Sequence, residues 1–401
     1  MTFRSAAARS NVIVGVAGGI AAYKALEVVR RFAEAGHNVR VIPTLSALRF
    51  VGEASFAALS GNKVHTDVWA DVEDVPHVQL GREADLVVVV PATADLMARA
   101  ASGRADDLLT ATLLTATCPI VFAPAMHTEM WENPATVSNV ATLRERGVIV
   151  LEPASGRLTG TDSGKGRLPD PSEIFETAEL IINSELPALR GKHVLVTAGG
   201  TREALDPVRF IGNKSSGKQG YAFARVAAAA GARVTLIAAN TDLIDPAGVD
   251  VVQVTSAAEM FEAVKKHTTS SDIVVMAAAV ADYRPTEYVS TKIKKTAATE
   301  LQLEATTDIL KWLGENKAPN QIIVGFAAET GDAQNSDLEY AIAKLATKKA
   351  DFLVLNNVAD GAVFGSDLNT VKVLSASGEV LSLAKASKLE IAITVYHLVI
   401  S

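Results

Sequence analysis

Cysteine is nearly absent from the 401-residue chain: Cys118 stands alone, which excludes an internal disulfide framework and any cysteine-based metal cluster. Long apolar runs are missing too. The stretch Leu86–Ala92 is far too short to cross a bilayer, so no membrane partner is expected. Residues 1–10 are rich in Ala, Ser and Arg without an apolar segment, so no secretory signal is expected and the reading is cytoplasmic. Excess positive charge is lacking: the net charge is −7, which argues against a nucleic-acid partner. Two nucleotide signatures are also missing. There is no G-x-G-x-x-G and no acidic residue closing the second strand of the first half, which disfavours NAD, and neither glycine turn after an opening strand, 18–19 or 199–200, carries a Walker A lysine.

What is present is apolar and regular. Apolar residues make up 49 % of the chain and charged ones 21 %, so extensive disorder is not expected. A mean hydropathy of +0.22 suggests strands buried on both faces. The short β-branched runs 12–16, 39–42, 86–90, 120–123 and 148–151 alternate with longer amphipathic stretches such as 21–35. That alternation predicts parallel βαβ units. A Gly/Ser/Thr-rich stretch, 154–166, is read as a loop, followed by a helix over 171–184. The aperiodic LPALRGK, 186–192, predicts a boundary between domains 1–187 and 188–401.

Beyond it the pattern restarts, with strands at 194–197, 233–237, 273–276, 322–325 and 352–355 and helices around 220–230 and 338–348. The runs 371–374 and 380–383 flank Ser377-Gly378 and predict a terminal β-hairpin. The fold class is therefore α/β, two related doubly wound units. Each opens with strand–Ala-Gly-Gly, at Gly18-Gly19 and Gly199-Gly200, where backbone N–H groups can approach an anion; a tight turn without a ligand is the alternative.

Three segments of the first half carry a resemblance: VAGGIAAYK (16–24), PATADLMARAASGRADDLLT (91–110) and PAMHTEMW (124–131), with Pro76-His77-Val78 upstream. In this order, over roughly residues 10–183, they resemble the flavin-dependent cysteine decarboxylases, specifically phosphopantothenoylcysteine decarboxylase. The resemblance implies a flavodoxin-like fold and FMN, its phosphate at Gly18, Gly19, Thr44 and Ser46, with Thr93 and Asp106 beside the flavin. His77 matches the family's catalytic histidine, whose imidazole can share the substrate thiol proton near neutral pH.

His127 stands where the family carries a carboxylate-binding Asn, and Gly160 where its clamp loop carries Cys. The reprotonating acid is then His127, Asp162 or a water held by the 159–163 loop, His127 being favoured; Cys118 reads as a small buried hydrophobe. The family assembles its flavin domain as trimers, four to a dodecamer. Relatives of this fold also include non-enzymatic inhibitory subunits, a rival that His77 and the second-half motifs argue against.

The second half carries GNKSSGKQG (212–220), AAVADYRP (278–285), KIKK (292–295) and GFAAET (325–330). Together, over roughly 190–399, they resemble phosphopantothenate–cysteine ligase, a dimeric Rossmann-like domain. The resemblance implies CTP, which activates the carboxylate of 4'-phosphopantothenate as an acyl-cytidylate before the cysteine amine attacks. Lys292 matches the lysine at the triphosphate and Asn213 the asparagine of the acyl-cytidylate step. Asp282 and Asp308 match nucleotide contacts, Asp282 to ribose hydroxyls or Mg2+, and Phe326 would touch the base. Lys344 and Lys348, four apart on one helix face, would both meet phosphates. The two halves together imply a homo-oligomeric bifunctional enzyme of coenzyme A biosynthesis, dependent on FMN and Mg2+.

Overall fold

The structure, a computed structural model, describes residues 9–67, 75–158, 162–294, 300–329, 336–357 and 368–401. It divides into two compact units. The first is the chain through Gly191 with Ala228–Gly231 and Ile244–Val249; the second is the remainder.

The first unit is a parallel sheet of β1 (Asn11–Val16), β2 (Asn38–Pro43), β3 (Leu86–Ala92), β4 (Ile120–Pro124) and β5 (Ile149–Val150) in the order β2-β1-β3-β4-β5. This is the flavodoxin-like order, which reverses between β1 and β3 and opens a crevice at their carboxyl ends. Every residue of β3 is buried, as its run of four valines demands once helices cover both faces. On α1 (Ala25–Glu34), Ala25, Val28, Val29 and Phe32 recur at helical spacing and are buried.

The remaining helices are α2 (Glu53–Ser60), α3 (Pro76–Glu83), α4 (Ala94–Ala101), α5 (Leu108–Thr115), α6 (Thr128–Trp131), α7 (Pro134–Glu145) and α8 (Pro171–Asn183). Asp107 begins α5 with a reciprocal capping box, and Asp170 caps α8 ahead of Pro171.

Two expectations for this unit need correction. The helix expected over 21–35 starts as a 3₁₀ turn, Ile20–Lys24, because Gly19 supplies no side-chain cap and the Ala22 N–H bonds back to the Gly19 carbonyl at 2.9 Å. The loop expected over 154–166 contains an antiparallel pair, β6 (Ala154–Arg157) and β7 (Ser163–Arg167). Its glycines and serines gave no apolar alternation to read.

The second unit holds β8 (His193–Gly199), β9 (Arg202–Ala204), β10 (Phe210–Gly212), α9 (Lys218–Ala229), β11 (Arg233–Ala239), β12 (Val249–Val254), α10 (Ala257–Thr268) and β13 (Ile273–Met276). Then follow β14 (Tyr283–Pro285), β15 (Leu303–Ala305), α11 (Ile309–Asn316), β16 (Ile322–Glu329), α12 (Asp337–Lys348), β17 (Phe352–Asn357), β18 (Leu368–Ser375), β19 (Val380–Ser387) and α13 (Lys388–Ile400).

The main sheet runs β12-β11-β8-β13-β16-β17-β18-β19. Its first six strands, counted along this unit, follow the Rossmann order 3-2-1-4-5-6, and β18 and β19 add an antiparallel hairpin. That hairpin is not terminal as expected: α13 follows it, capped by Ser387 and Glu390. Its β-branched, almost wholly apolar sequence shows no polar face, because Ile391–Val395 and Tyr396 are buried on all sides. Two small antiparallel pairs, β9 with β10 and β14 with β15, stand apart from the main sheet. No helix among the described residues is long and apolar enough to cross a membrane.

Candidate functional site

In the first unit the carboxyl ends of β1, β3 and β4 open into a cavity of about 650 Å³ lined by residues that include Gly19, Tyr23, Lys24, Met126, His127, Arg157 and Arg167. Close backbone approach makes its floor. A Cβ on Gly18 would fall 2.3 Å from the Ser46 Cβ, so only glycine lets the β1 turn lie against the turn after β2. There the Thr44 hydroxyl accepts from the Ala47 N–H at 3.2 Å. The Thr93 hydroxyl accepts from the Leu96 N–H at 3.3 Å and caps α4.

The opposite wall is the β6–β7 hairpin, laid on the segment that holds His127. The Met126 N–H donates to the Gly166 carbonyl at 2.9 Å. A Cβ on Gly166 would strike the Met126 carbonyl at 2.3 Å, and one on Gly164 the Thr128 hydroxyl at 2.3 Å. Buried Glu152 ties the hairpin down through Lys165 at 2.7 Å and Arg144 at 2.8 Å. Burial alone would raise its carboxyl pKa, but these two cations hold it below the ordinary range.

The cavity is cationic: Lys24, Arg157 and Arg167 all line it. Burial, and then the Arg167 charge, lowers the Lys24 ammonium from its usual value. Cationic groups beside a glycine turn at a switch point suit a phosphorylated planar ligand, and the residues present fit FMN.

Of the first-half candidates, Gly19 and His127 line this cavity, with Gly18, Thr44, Ser46 and Thr93 in the turns around it. His77 and Asp106 are not among the lining residues. His77 sits in the first turn of α3, its carbonyl accepting from the Thr115 hydroxyl at 2.7 Å, and its ring Nδ1 is buried with no hydrogen-bond partner. Asp106 is occupied by Arg99 and Arg104, each at 2.9 Å, and the Arg99 hydrogen bond lowers its pKa. Cys118 is half-buried ahead of β4, burial raising its thiol pKa, and it does not reach the cavity. Gly160 and the tip of the clamp loop lie outside the described residues.

In the second unit a cavity of about 380 Å³ opens at the carboxyl ends of β13 and β16 and the start of α9. Asn213, Asp282, Phe326 and Lys344 all line it, so four candidates spread over 132 residues converge. Asn213 Nδ2 donates to the Val280 carbonyl at 2.9 Å. Gly200 makes this possible, since a Cβ there would sit 2.6 Å from the Asn213 carbonyl oxygen. Phe326 packs edge-on against Phe223, ring centres 5.6 Å apart.

Lys348, Asp308 and Lys292 are placed elsewhere. Lys348 lies in the last turn of α12, where it pairs with Asp308, the cap of α11. Burial would raise the Asp308 carboxyl pKa, but the Lys348 hydrogen bond lowers it. Lys292 is exposed beside Ile293, whose N–H donates to Asp206 at 3.1 Å and whose carbonyl accepts from Arg209 at 2.7 Å. Among the described residues no group of three His, Cys, Asp or Glu side chains is placed to hold a metal ion.

Reading the sequence missed Arg157 and Arg167 in the first cavity and Gln219, Asn356, Asn369 and Lys388 in the second. The arginines lie at the two ends of the stretch read as the clamp loop, for which only its tip was considered. Asn356 and Asn369 come together through the pairing of β17 with β18, and Gln219 is brought in by α9.

Two family models match the chain, one described as Flavoprotein over residues 4–182 and one as DNA/pantothenate metabolism flavoprotein C-terminal domain over residues 189–401. The coenzyme A biosynthesis bifunctional protein CoaBC of Mycolicibacterium smegmatis is 59 % identical over 392 residues, 95 % of each chain. That of Bacillus subtilis is 46 % identical over 387 residues, 95 % of this chain and 94 % of the relative. Among solved structures, the C-terminal domain of a CoaBC protein matches at 43 % identity with a TM-score of 0.45, covering 53 % of this chain and 96 % of that one.

Proposed function

The chain belongs to the family of bifunctional coenzyme A biosynthesis proteins, an enzyme family with decarboxylase and ligase activities, and we propose which unit and which residues perform each step. The second unit, within 188–401, joins 4'-phosphopantothenate to cysteine with CTP; the first, within 1–187, decarboxylates the product to 4'-phosphopantetheine. The observation that carries the assignment is the convergence of Asn213, Asp282, Phe326 and Lys344 on one cavity and of Gly19 and His127 on the other.

Lys344, which lines the ligase cavity from α12, offsets the triphosphate charge. Lys292, exposed outside that lining, would meet the departing pyrophosphate from its anchored loop. The amide of Asn213 donates to the oxyanion formed when the cysteine amine attacks the acyl-cytidylate. Among the described residues Asp282 is the one carboxylate lining this cavity, and it would hold a Mg2+ that offsets charge on the nucleotide phosphates. The amine loses its proton as the new amide forms, and cytidine monophosphate leaves.

In the first cavity, Gly18, Gly19 and the Thr44–Ser46 turn would hold the FMN phosphate, with Thr93 alongside. When bound, FMN supplies the two-electron oxidation of the cysteinyl thiol and returns the electrons after CO2 departs. His77 accepts the thiol proton. His127, at the wall, hydrogen-bonds the substrate carboxylate and returns a proton as the thiol product forms.

His77 does not line the cavity of its own chain, which supports a site completed by a second copy of the chain. Val75 and Leu114, both exposed, lie on the elements around His77. Phe210, Tyr283 and Leu303 are exposed on the small sheets of the ligase unit. We propose trimeric contacts in the first unit and dimeric contacts in the second, assembling a cytoplasmic dodecamer. The purified protein should be yellow and release FMN, and not FAD, on denaturation. A colourless protein that takes up no added FMN would remove the decarboxylase assignment.

A further inference from the structure

The hairpin that walls the first cavity is held by a carboxylate that the steps above do not use. Glu152, buried two residues past β5, accepts from Arg144 of α7 at 2.8 Å through Oε1 and meets Lys165 of β7 at 2.7 Å through Oε2. The same Arg144 nitrogen donates to the Val150 carbonyl at 2.8 Å, so the carboxylate ties the hairpin to the end of β5. A buried ion pair returns little net stability, because desolvation offsets most of its attraction. What it supplies here is a fixed place for Lys165.

That place matters because β7 is not a regular strand. Ser155 pairs with Lys165 and Ala154 with Arg167, which leaves Gly166 as the extra residue of a β-bulge. In a regular strand Lys165 and Arg167, two apart, would share a face. Across the bulge they part: Lys165 turns to Glu152, and Arg167 lines the cavity. The bulge is also pinned from the His127 side, where the Gly166 carbonyl accepts from the Met126 N–H at 2.9 Å. The Arg167 guanidinium lies along Gly156 of β6, where a Cβ would stand 3.4 Å from Nη1. Among the described residues no carboxylate lines this cavity, whereas Lys24 and Arg167 both do.

On the decarboxylase reading two phosphate monoesters enter the cavity, one on FMN and one on the substrate. The β1 turn receives the first with its backbone N–H groups. We propose that Arg167, on the opposite wall, receives the 4'-phosphate of the substrate, and that Glu152 is the positioning residue that keeps it there by holding Lys165 on the other face of the bulge. This rests on the decarboxylase reading of the first unit and names how that site recognises its substrate.

The test is the ratio of KM for pantothenoylcysteine to KM for 4'-phosphopantothenoylcysteine, measured as CO2 release by the full chain loaded with FMN. Wild type should favour the phosphorylated substrate. Arg167→Gln should cut that ratio about tenfold or more, the scale of charge-assisted hydrogen bonds to phosphate. Glu152→Gln and Lys165→Met should each cut it about threefold or more with kcat near wild type, and Lys165→Arg should preserve it. A purely structural role would raise both KM values together and leave the ratio alone. A ratio within threefold of wild type in any of the first three variants, with its FMN content and unfolding transition intact, would overturn the proposal. Lys165→Met decides the matter if Glu152→Gln fails to fold. CO2 from neither substrate by the FMN-loaded wild type would instead contradict the decarboxylase reading. Affinities of wild type, Arg167→Gln and Lys165→Met for 4'-phosphopantetheine and pantetheine, measured by calorimetry, would then decide the roles of these residues on their own.

Discussion

His77→Asn should slow CO2 release from phosphopantothenoylcysteine by about 10²–10⁴-fold, the usual worth of a positioned acid–base group, and leave pyrophosphate release at the ligase site near wild type. The histidine is rigidly held. Pro76 opens α3 ahead of it, and the Thr115 hydroxyl bonds its carbonyl at 2.7 Å. A Cβ on Gly81 would lie 2.3 Å from that hydroxyl, so α3 and α5 are closely packed one turn beyond His77. Its Nδ1 is nevertheless buried without a partner, a costly state that a group arriving with the substrate or with a second copy of the chain would relieve. Asparagine keeps a polar side chain at the position but cannot take up a proton near neutral pH. Equal loss of both activities would assign His77 to folding or assembly.

Asn213→Ala should cost about 10²–10³-fold in phosphopantothenoylcysteine formation, the loss seen when one oxyanion donor is removed from a preorganised site. Preorganisation is visible in the hydrogen bond from Nδ2 to the Val280 carbonyl and in the close approach that Gly200 allows. Rapid-quench measurement of pyrophosphate and peptide product would separate formation of the acyl-cytidylate from its capture by cysteine. Rates within threefold of wild type would reduce Asn213 to a turn residue.

Much of the fold can be read along the chain because the parallel strands are continuous apolar runs rich in β-branched residues, as in 86–90 and 194–196, and buried helices such as α1 keep strict spacing. The β6–β7 hairpin and α13 cannot be read this way. One is built from glycine and serine backbone pairing; the other is apolar on every side. The sites divide similarly. Glycine turns and short motifs mark Gly18, Gly19, His127, Asn213 and Asp282. Motif order placed Asp106 beside the flavin and Lys348 on a phosphate, yet the tertiary structure pairs them with Arg99 and Asp308. Gln219 carries no local signal: its amide N–H is held by the Lys388 carbonyl, 169 residues away.

The most direct measurement supplies the purified protein with 4'-phosphopantothenate, cysteine, CTP and Mg2+ and follows pyrophosphate, CO2 and 4'-phosphopantetheine together. The account predicts one CO2 and one 4'-phosphopantetheine for each pyrophosphate, with phosphopantothenoylcysteine accumulating only in His77→Asn. Pyrophosphate without CO2 from a wild-type protein loaded with FMN, or no product of either kind, would contradict it.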